Sequence, residues 1–466
     1  MSTFPEGFLW GASTSPHQTE GNNLNSNWWA RETLMPGMQP SGDACDSYHR
    51  YGEDMRLLAD SGLNAYRFGI EWARIEPRPG QISHAELAHY RGMIETAFSL
   101  GLAPVVTLHH FSNPRWFPEE GGWTGTSALD RFVSYVTTTT TILDGVEWVV
   151  TMNEPNMMAM MVLQDAARSG QLAQWQSPTV DGLAERDRIA AALPVPSPEY
   201  GSHFINAHHA VRDIIRDRTG AKVGWSVAGQ ALTATPGSEA KTREVRYAWE
   251  YLYLEASRGD DFVGVQSYSS QSVDADGVIP HPPHPDNSRV GTAYRPDALG
   301  VAVRHAWETT GLPILVTENG IATGDDDRRI SYTGEALQHL HATIDDGADV
   351  RGYVPGEDDG HGAHGSRARR MGQPLPRGQS GCVQVSRTRC PLAAGHAGTR
   401  CPKPPRTSGS SRCCAPPWDS TNRGKIMSPT PTRSRGHRLC LTEPNRRHLA
   451  SEASSKRSTM HHRPRT

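Results

Sequence analysis

The chain has 466 residues, a formal net charge of −3, and 36% hydrophobic and 21% charged side chains. That length fills one large barrel or two to three ordinary domains. No run of about 18 apolar residues occurs, which argues against a transmembrane helix, and MSTFPEGFLWGAS at the start lacks the charged beginning and apolar centre of a signal peptide.

Along the chain, short apolar runs rich in β-formers recur: FLWGAS (8–13), AYRFGI (65–70), APVVTL (103–108), EWVVTM (147–152), KVGWSV (222–227), FVGVQS (262–267), PILVTE (313–318) and VRGYV (350–354). Helical patterns separate them. YHRYGEDMRLLADSG (48–62) puts Tyr51, Met55, Leu58 and Ala59 on one face and ends in glycine. Residues 84–101 and 203–220 read the same way. Alternating strand and helix implies parallel strands with right-handed crossovers. Seven or eight repeats predict a closed (β/α)8 barrel, the TIM-barrel architecture. The long stretch 168–200 is expected to frame the substrate entrance.

The polar motifs follow strand ends, where a barrel of this kind carries its chemistry. TMNEP (151–155) and VTENG (316–320) each deliver one carboxylate, Glu154 and Glu318. Two carboxylates at one end of a barrel are the minimum for cleaving a glycosidic bond with retention. Either glutamate alone would more often be a solvated loop charge or a helix-start charge; the pair together points to chemistry.

Over about 4–354 the chain resembles family 1 glycoside hydrolases, the retaining β-glucosidase and β-galactosidase group. The resemblance rests on FPEGFLWGASTSPHQTEG (4–21), CDSYHRYGEDMRLLADSGLNAYRFGIEWARIEP (45–77), TLHHFSNPRWF (107–117), TMNEPN (151–156), FVGVQSY (262–268), VTENGIAT (316–323) and VRGYV (350–354). It implies hydrolysis of terminal β-linked, glucoside-like sugars with no metal or organic cofactor. Glu154 would be the acid/base and Glu318 the nucleophile. Gln18, His110, Asn153 and Tyr268 would meet the sugar, and Arg67 and Tyr268 would steady Glu318. Gln266 and Ser267 stand where the family has Asn and Tyr, and Phe111 and Ser112 where Trp and Asp are frequent.

A retaining mechanism needs its two carboxyl groups roughly 5–5.5 Å apart, one ionised to attack and one protonated to release the aglycone. His109/His110 and His208/His209 lack carboxylates or cysteines at ligand spacing, so packing or sugar contact is expected of them rather than metal. Trp28, Trp29, Trp116 and Trp123 are candidates for a sugar cleft or for the core.

The pattern breaks near Pro355. Residues 355–466 hold 21 Lys+Arg and 6 Asp+Glu, a net of +15; the 354 residues before them hold 26 and 44, a net of −18. Cys45 is the one cysteine of the body, which suits a reducing, cytoplasmic compartment, whereas Cys382, Cys390, Cys401, Cys413, Cys414 and Cys440 follow no zinc or disulfide framework. The family's W-S-x-x-D-N-x-E-W segment, which reads the sugar 4- and 6-hydroxyls, is absent, and Trp418 is the only later tryptophan. The expected domains are thus a barrel over 1–354, incomplete in its eighth βα unit, and a basic low-complexity tail over 355–466, disordered and out of frame. A nucleic-acid arm fits poorly, since the basic residues are unclustered and no aromatics interleave with them. The expected partner is a small β-glycoside or oligosaccharide, with neither nucleic acid nor membrane; the sequence sets no oligomeric state. The alternative is an impaired or inactive remnant, because bare apolar surface at the seam would cost about 6–15 kcal/mol and two lost sugar contacts would slow catalysis roughly 10²–10⁴-fold.

Overall fold

The computed structural model describes residues 4–34, 40–168 and 194–356. Eight parallel strands close into a barrel in chain order: β1 (Leu9–Ser13), β2 (Ala65–Gly69), β3 (Ala103–Thr107), β4 (Trp148–Asn153), β5 (Lys222–Ala228), β6 (Val263–Ser267), β7 (Ile314–Asn319) and β8 (Val350–Tyr353). All eight runs expected from the sequence are strands. β8 pairs with β1 through Leu9↔Gly352 and Trp10↔Tyr353, which completes the ring. The seam needs its glycine: a Cβ on Gly352 would lie 2.6 Å from the Leu9 Cβ. The expected tail and whatever follows β8 lie outside the described residues, apart from Pro355 and Gly356, which run alongside Ser13.

The period-two pattern of the strands separates two apolar compartments. Leu9, Val105, Trp148, Val150, Phe262 and Leu315 form a plug of their own. The larger core lies between strands and helices and includes Met55, Leu58, Phe68, Val106, Val149 and Val265. Helix Ser47–Asp60 buries Met55 and Leu58 completely, with Tyr51 and Ala59 packed beside them, as its sequence pattern requires. The third helix expected from the sequence starts earlier, at Pro198, because the Ser197 hydroxyl caps it and Pro198 suits its first turn; it closes at Gly220 with φ 71. Helix Pro155–Arg168 follows β4 directly. Asn156 pins it by donating to the Ala228 and Trp249 carbonyls at 2.8 and 2.7 Å. Most of the 168–200 stretch lies outside the described residues.

Of the four tryptophans, Trp116 and Trp123 are core. They pack around Trp72 with Phe117 and Phe132 and are each 7% exposed. The histidine pairs also divide. His208 is buried against Trp225 and bonded to Thr151 and Asp260, and His109 is bonded to Asn113 at 3.0 Å. Among the described residues no group of His, Cys, Asp or Glu could hold a metal, and no helix is long and apolar enough to cross a membrane.

Burial lowers the His109 imidazole from 6.5 to about 4. As pH falls, the unfolded chain protonates this residue first, so stability is lost across that window and is complete above it. The effect is on the order of 3 kcal/mol. Urea unfolding of wild type and His109→Gln is expected to show a stability difference that shifts by about that amount between pH 7.5 and pH 4, with the wild type losing more. A difference independent of pH would contradict the buried neutral imidazole.

Candidate active site

The barrel mouth is organised by one cation. Arg67, on β2, is completely buried, and a buried guanidinium is tolerable only when its donors are matched. Its Nη1 donates to Glu318 Oε1 at 2.6 Å, to Ser13 Oγ at 2.8 Å and to the Thr317 carbonyl at 3.3 Å. Its Nε donates to Thr107 Oγ1 at 3.1 Å, and its Nη2 donates to Asn153 Oδ1. Strands β1, β2, β3, β4 and β7 therefore meet at one side chain.

Glu318 ends the apolar stretch of β7. Its second oxygen, Oε2, accepts from the Tyr268 hydroxyl at 2.7 Å, and the side chain remains 13% exposed. Tyr268 is itself seated by Tyr332, whose hydroxyl donates to the Tyr268 carbonyl at 2.7 Å. Both carboxylate oxygens are thus held, one by a cation and one by a phenol.

Glu154 follows Asn153 at the end of β4 and is 5% exposed. Its φ is 47, a left-handed value that L-residues avoid. The backbone is held there by its N–H on the Ser226 carbonyl at 2.8 Å and by the helix beginning at Pro155. Phe111, four residues beyond β3, is likewise left-handed with φ 64. Such strain persists where surrounding contacts over-determine it, commonly at functional sites. Strand pairing is irregular just before both glutamates, between Val150 and Asn153 and between Val316 and Glu318, the kind of shift that re-aims side chains.

Asn153 links the halves. Its Oδ1 accepts from Arg67 and from Gln266 Nε2, the latter at 2.6 Å, and its Nδ2 lies 3.1 Å from His110 Nε2. Beside it a cavity is lined by Ser15, His17, Gln18, Trp28, His110, Phe111 and Ser112. Of the residues expected at the site, Arg67, Asn153, His110, Tyr268 and Glu318 are joined by hydrogen bonds, Glu154 adjoins them through Asn153, and Gln18 shares the cavity with His110. The sequence reading missed Ser13 and Thr107 as partners of Arg67, although an arginine inside the apolar run AYRFG demanded partners of some kind. It also missed the supports of the cavity wall. Glu71 accepts from Ser112 Oγ at 2.6 Å and from Asn23 at 2.9 Å, and Glu32 meets His17 at 2.9 Å. Two residues beyond Gln18, Glu20 is held by Arg74 at 2.8 Å and by Tyr90 at 3.0 Å, and burial lifts its carboxyl to about 7.

The family model described as glycosyl hydrolase family 1 matches residues 1–169 and 251–356. The chain belongs to glycosyl hydrolase family 1. Among curated relatives of this family 1 chain, the thermostable beta-glucosidase B of Thermobispora bispora is 29% identical over 414 residues, covering 75% of this chain and 81% of the relative. A crystal structure titled beta-glycosidase BGL167 is 38% identical with a TM-score of 0.65, covering 76% of this chain and 87% of the other. The beta-glycosidase from Pyrococcus horikoshii is 28% identical, also with a TM-score of 0.65, covering 76% and 84%.

If Arg67 holds the mouth together, Arg67→Met leaves the Glu318 carboxylate with a single partner and takes away one of the two donors to Asn153 Oδ1. Denaturant unfolding is expected to show a loss of about 3–5 kcal/mol, partly recovered when Glu318→Gln removes the orphaned charge. A single-variant loss below about 1 kcal/mol, the range of an exposed pair, would contradict the hub.

Proposed function

We propose that the chain hydrolyses terminal β-glucoside-like linkages by double displacement with retention. The observation that carries this reading is the double hold on Glu318, by Arg67 at 2.6 Å and Tyr268 at 2.7 Å, on a side chain that remains 13% exposed. A carboxylate held at both oxygens is oriented for attack. Glu318 attacks the anomeric carbon while Glu154 gives its proton to the departing glycosidic oxygen. The C–O bond breaks, leaving an ester between the sugar and Glu318. Esterification removes the charge at 318, which frees Glu154 to remain an anion and take a proton from water. That water attacks the anomeric carbon and releases Glu318. Gln18, His110 and Asn153 hold sugar hydroxyls, and the Asn153 contact to the 2-hydroxyl strengthens in the transition state. The names of the curated relatives, beta-glucosidases in both Thermobispora bispora and Acetivibrio thermocellus, support the glucoside-like assignment. The proposed substrate is a small β-glycoside or oligosaccharide, acted on without a cofactor.

The full chain assayed on aryl β-glucosides is the test. Glu318→Ala is expected to lose at least about 10⁴-fold in kcat. Glu154→Ala is expected to lose about 10²–10⁴-fold, chiefly through the first step when the leaving group is poor and through the second when it is good. Equal losses for good and poor leaving groups in kcat/KM would contradict the acid/base role of Glu154.

A second reading, an impaired or inactive remnant, is favoured by the family match ending at residue 356 and by the missing W-S-x-x-D-N-x-E-W segment in residues 357–466. A shift of reading frame near codon 354 accounts for it. Translating the downstream gene in its other two frames should recover that segment, and restoring the frame should raise kcat/KM roughly 10²–10⁴-fold. Absence of the segment from both frames would overturn the frame shift.

A further inference from the structure

Two buried polar side chains stand behind Glu318 and line no part of the cavity. Asn319, the next residue of β7, is 1% exposed, and Tyr353, on β8, is 3% exposed. Tyr353 belongs to the apolar core between strands and helices, so the pair meets on the outer side of the sheet. Asn319 Nδ2 donates to the Ser267 carbonyl at 2.6 Å, and its Oδ1 accepts from the Tyr353 hydroxyl at 2.9 Å. A carbonyl can only accept, so the amide must turn its nitrogen to Ser267 and its oxygen to Tyr353. The phenol is then the donor, and burial pushes its pKa up, which keeps that proton in place.

Strand pairing shows why the end of β7 needs such a tie. β7 pairs with β8 as far as Val316↔Tyr353. Its pairing with β6 continues, after an irregular step, through Glu318↔Gln266 and Asn319↔Ser267. The end that carries Glu318 is thus paired on one side only, and the Tyr353 side chain supplies the tie on the other.

The contacts close a circuit. The Tyr268 hydroxyl donates to Glu318 Oε2 at 2.7 Å. One residue back along the chain, the Ser267 carbonyl is held by Asn319, and Asn319 is joined by a peptide bond to Glu318. The Tyr268 carbonyl is held in turn by Tyr332, from helix Asp326–Asp345. Successive carbonyls at 267 and 268 are therefore both fixed. The phenol that meets the Glu318 carboxylate is seated by that glutamate's own neighbour.

We infer that Asn319 is a positioning residue for Glu318, acting through Ser267 and Tyr268, and that Tyr353 locks its amide in the working orientation. Neither side chain touches the sugar. The inference rests on the glycosidase reading above, in which Glu318 attacks, and deepens it. A small displacement of a reacting atom costs rate, so the circuit bears on the attack and leaves sugar binding alone.

Inactivation of the full chain by a dinitrophenyl 2-deoxy-2-fluoro-β-glucoside separates the two, because it yields both the affinity for the reagent and the first-order rate of attack. Tyr353→Phe is expected to lower that rate about 2–10-fold, the worth of one hydrogen bond, with the affinity within about 2-fold. Asn319→Asp keeps the shape but turns an acceptor on the Ser267 carbonyl. It is expected to lower the rate about 10–100-fold. Tyr268→Phe removes the contact through which both are read. In that background each change is expected to cost less than about 2-fold more, since residues of one network do not add. The two variants read the same circuit, so either one in folded form decides. Losses that add fully to that of Tyr268→Phe, a loss of affinity with the rate untouched, or no loss in either variant would overturn the proposal while sparing the glycosidase reading. A wild-type chain that the reagent neither binds nor inactivates would overturn that reading and this proposal with it.

Discussion

A buried guanidinium imposes the geometry of this barrel mouth. Arg67 is fully enclosed, so each of its donors must find an oxygen or the fold bears the cost of an unmatched charge. The five acceptors it finds come from β1, β3, β4 and β7. That requirement fixes the relative height of four strands around β2. It simultaneously fixes the carboxylate at 318 and the amide at 153. Stability and function are joined here: what closes the barrel mouth also aims the groups that would act there.

The strain at the mouth follows from the same constraint. Glu154 is forced into a left-handed backbone because Asn153 is anchored behind it, by Arg67 and Gln266 through its side chain and by the His109 carbonyl through its N–H, while Pro155 and Asn156 commit the chain to a helix ahead. The chain turns sharply between these two anchors, and the glutamate sits at the turn. Irregular pairing beside β4 and β7 serves both carboxylates in the same way. The outer wall of the cavity rests on a second layer of buried acids, Glu20, Glu32 and Glu71, each matched by a named partner.

Much of this was legible in the sequence. The strands are short apolar runs with sharp ends, so their number, order and parallel sense follow from pattern alone, and eight of them leave a closed barrel as the natural solution. Helix Pro198–Thr219 shows the limit: its interior is periodic, but its start depends on the cap at Ser197, which lies outside the periodic run. Glu154 and Glu318 stood out because each is a charge at the end of a buried strand. Ser13 and Thr107 did not, because small polar residues in a strand carry no signal until their partner is known, and Gln266 drew notice only as a departure from the family pattern. Trp116 and Trp123 could not be told from cleft-lining residues by composition, since a tryptophan serves equally well in a core. The region from 357 onward, where the sequence loses its resemblance to the family, lies beyond the described barrel.

The central claim is that the carboxylate held by Arg67 and Tyr268 attacks the anomeric carbon. Incubating the full chain with an activated aryl 2-deoxy-2-fluoro-β-glucoside and mapping the adduct by peptide mass spectrometry tests it directly. The account predicts one equivalent of glycosyl adduct on the peptide carrying Glu318, absent from Glu318→Gln. An adduct on Glu154 or any other residue, or turnover of the reagent with no adduct at all, would contradict it.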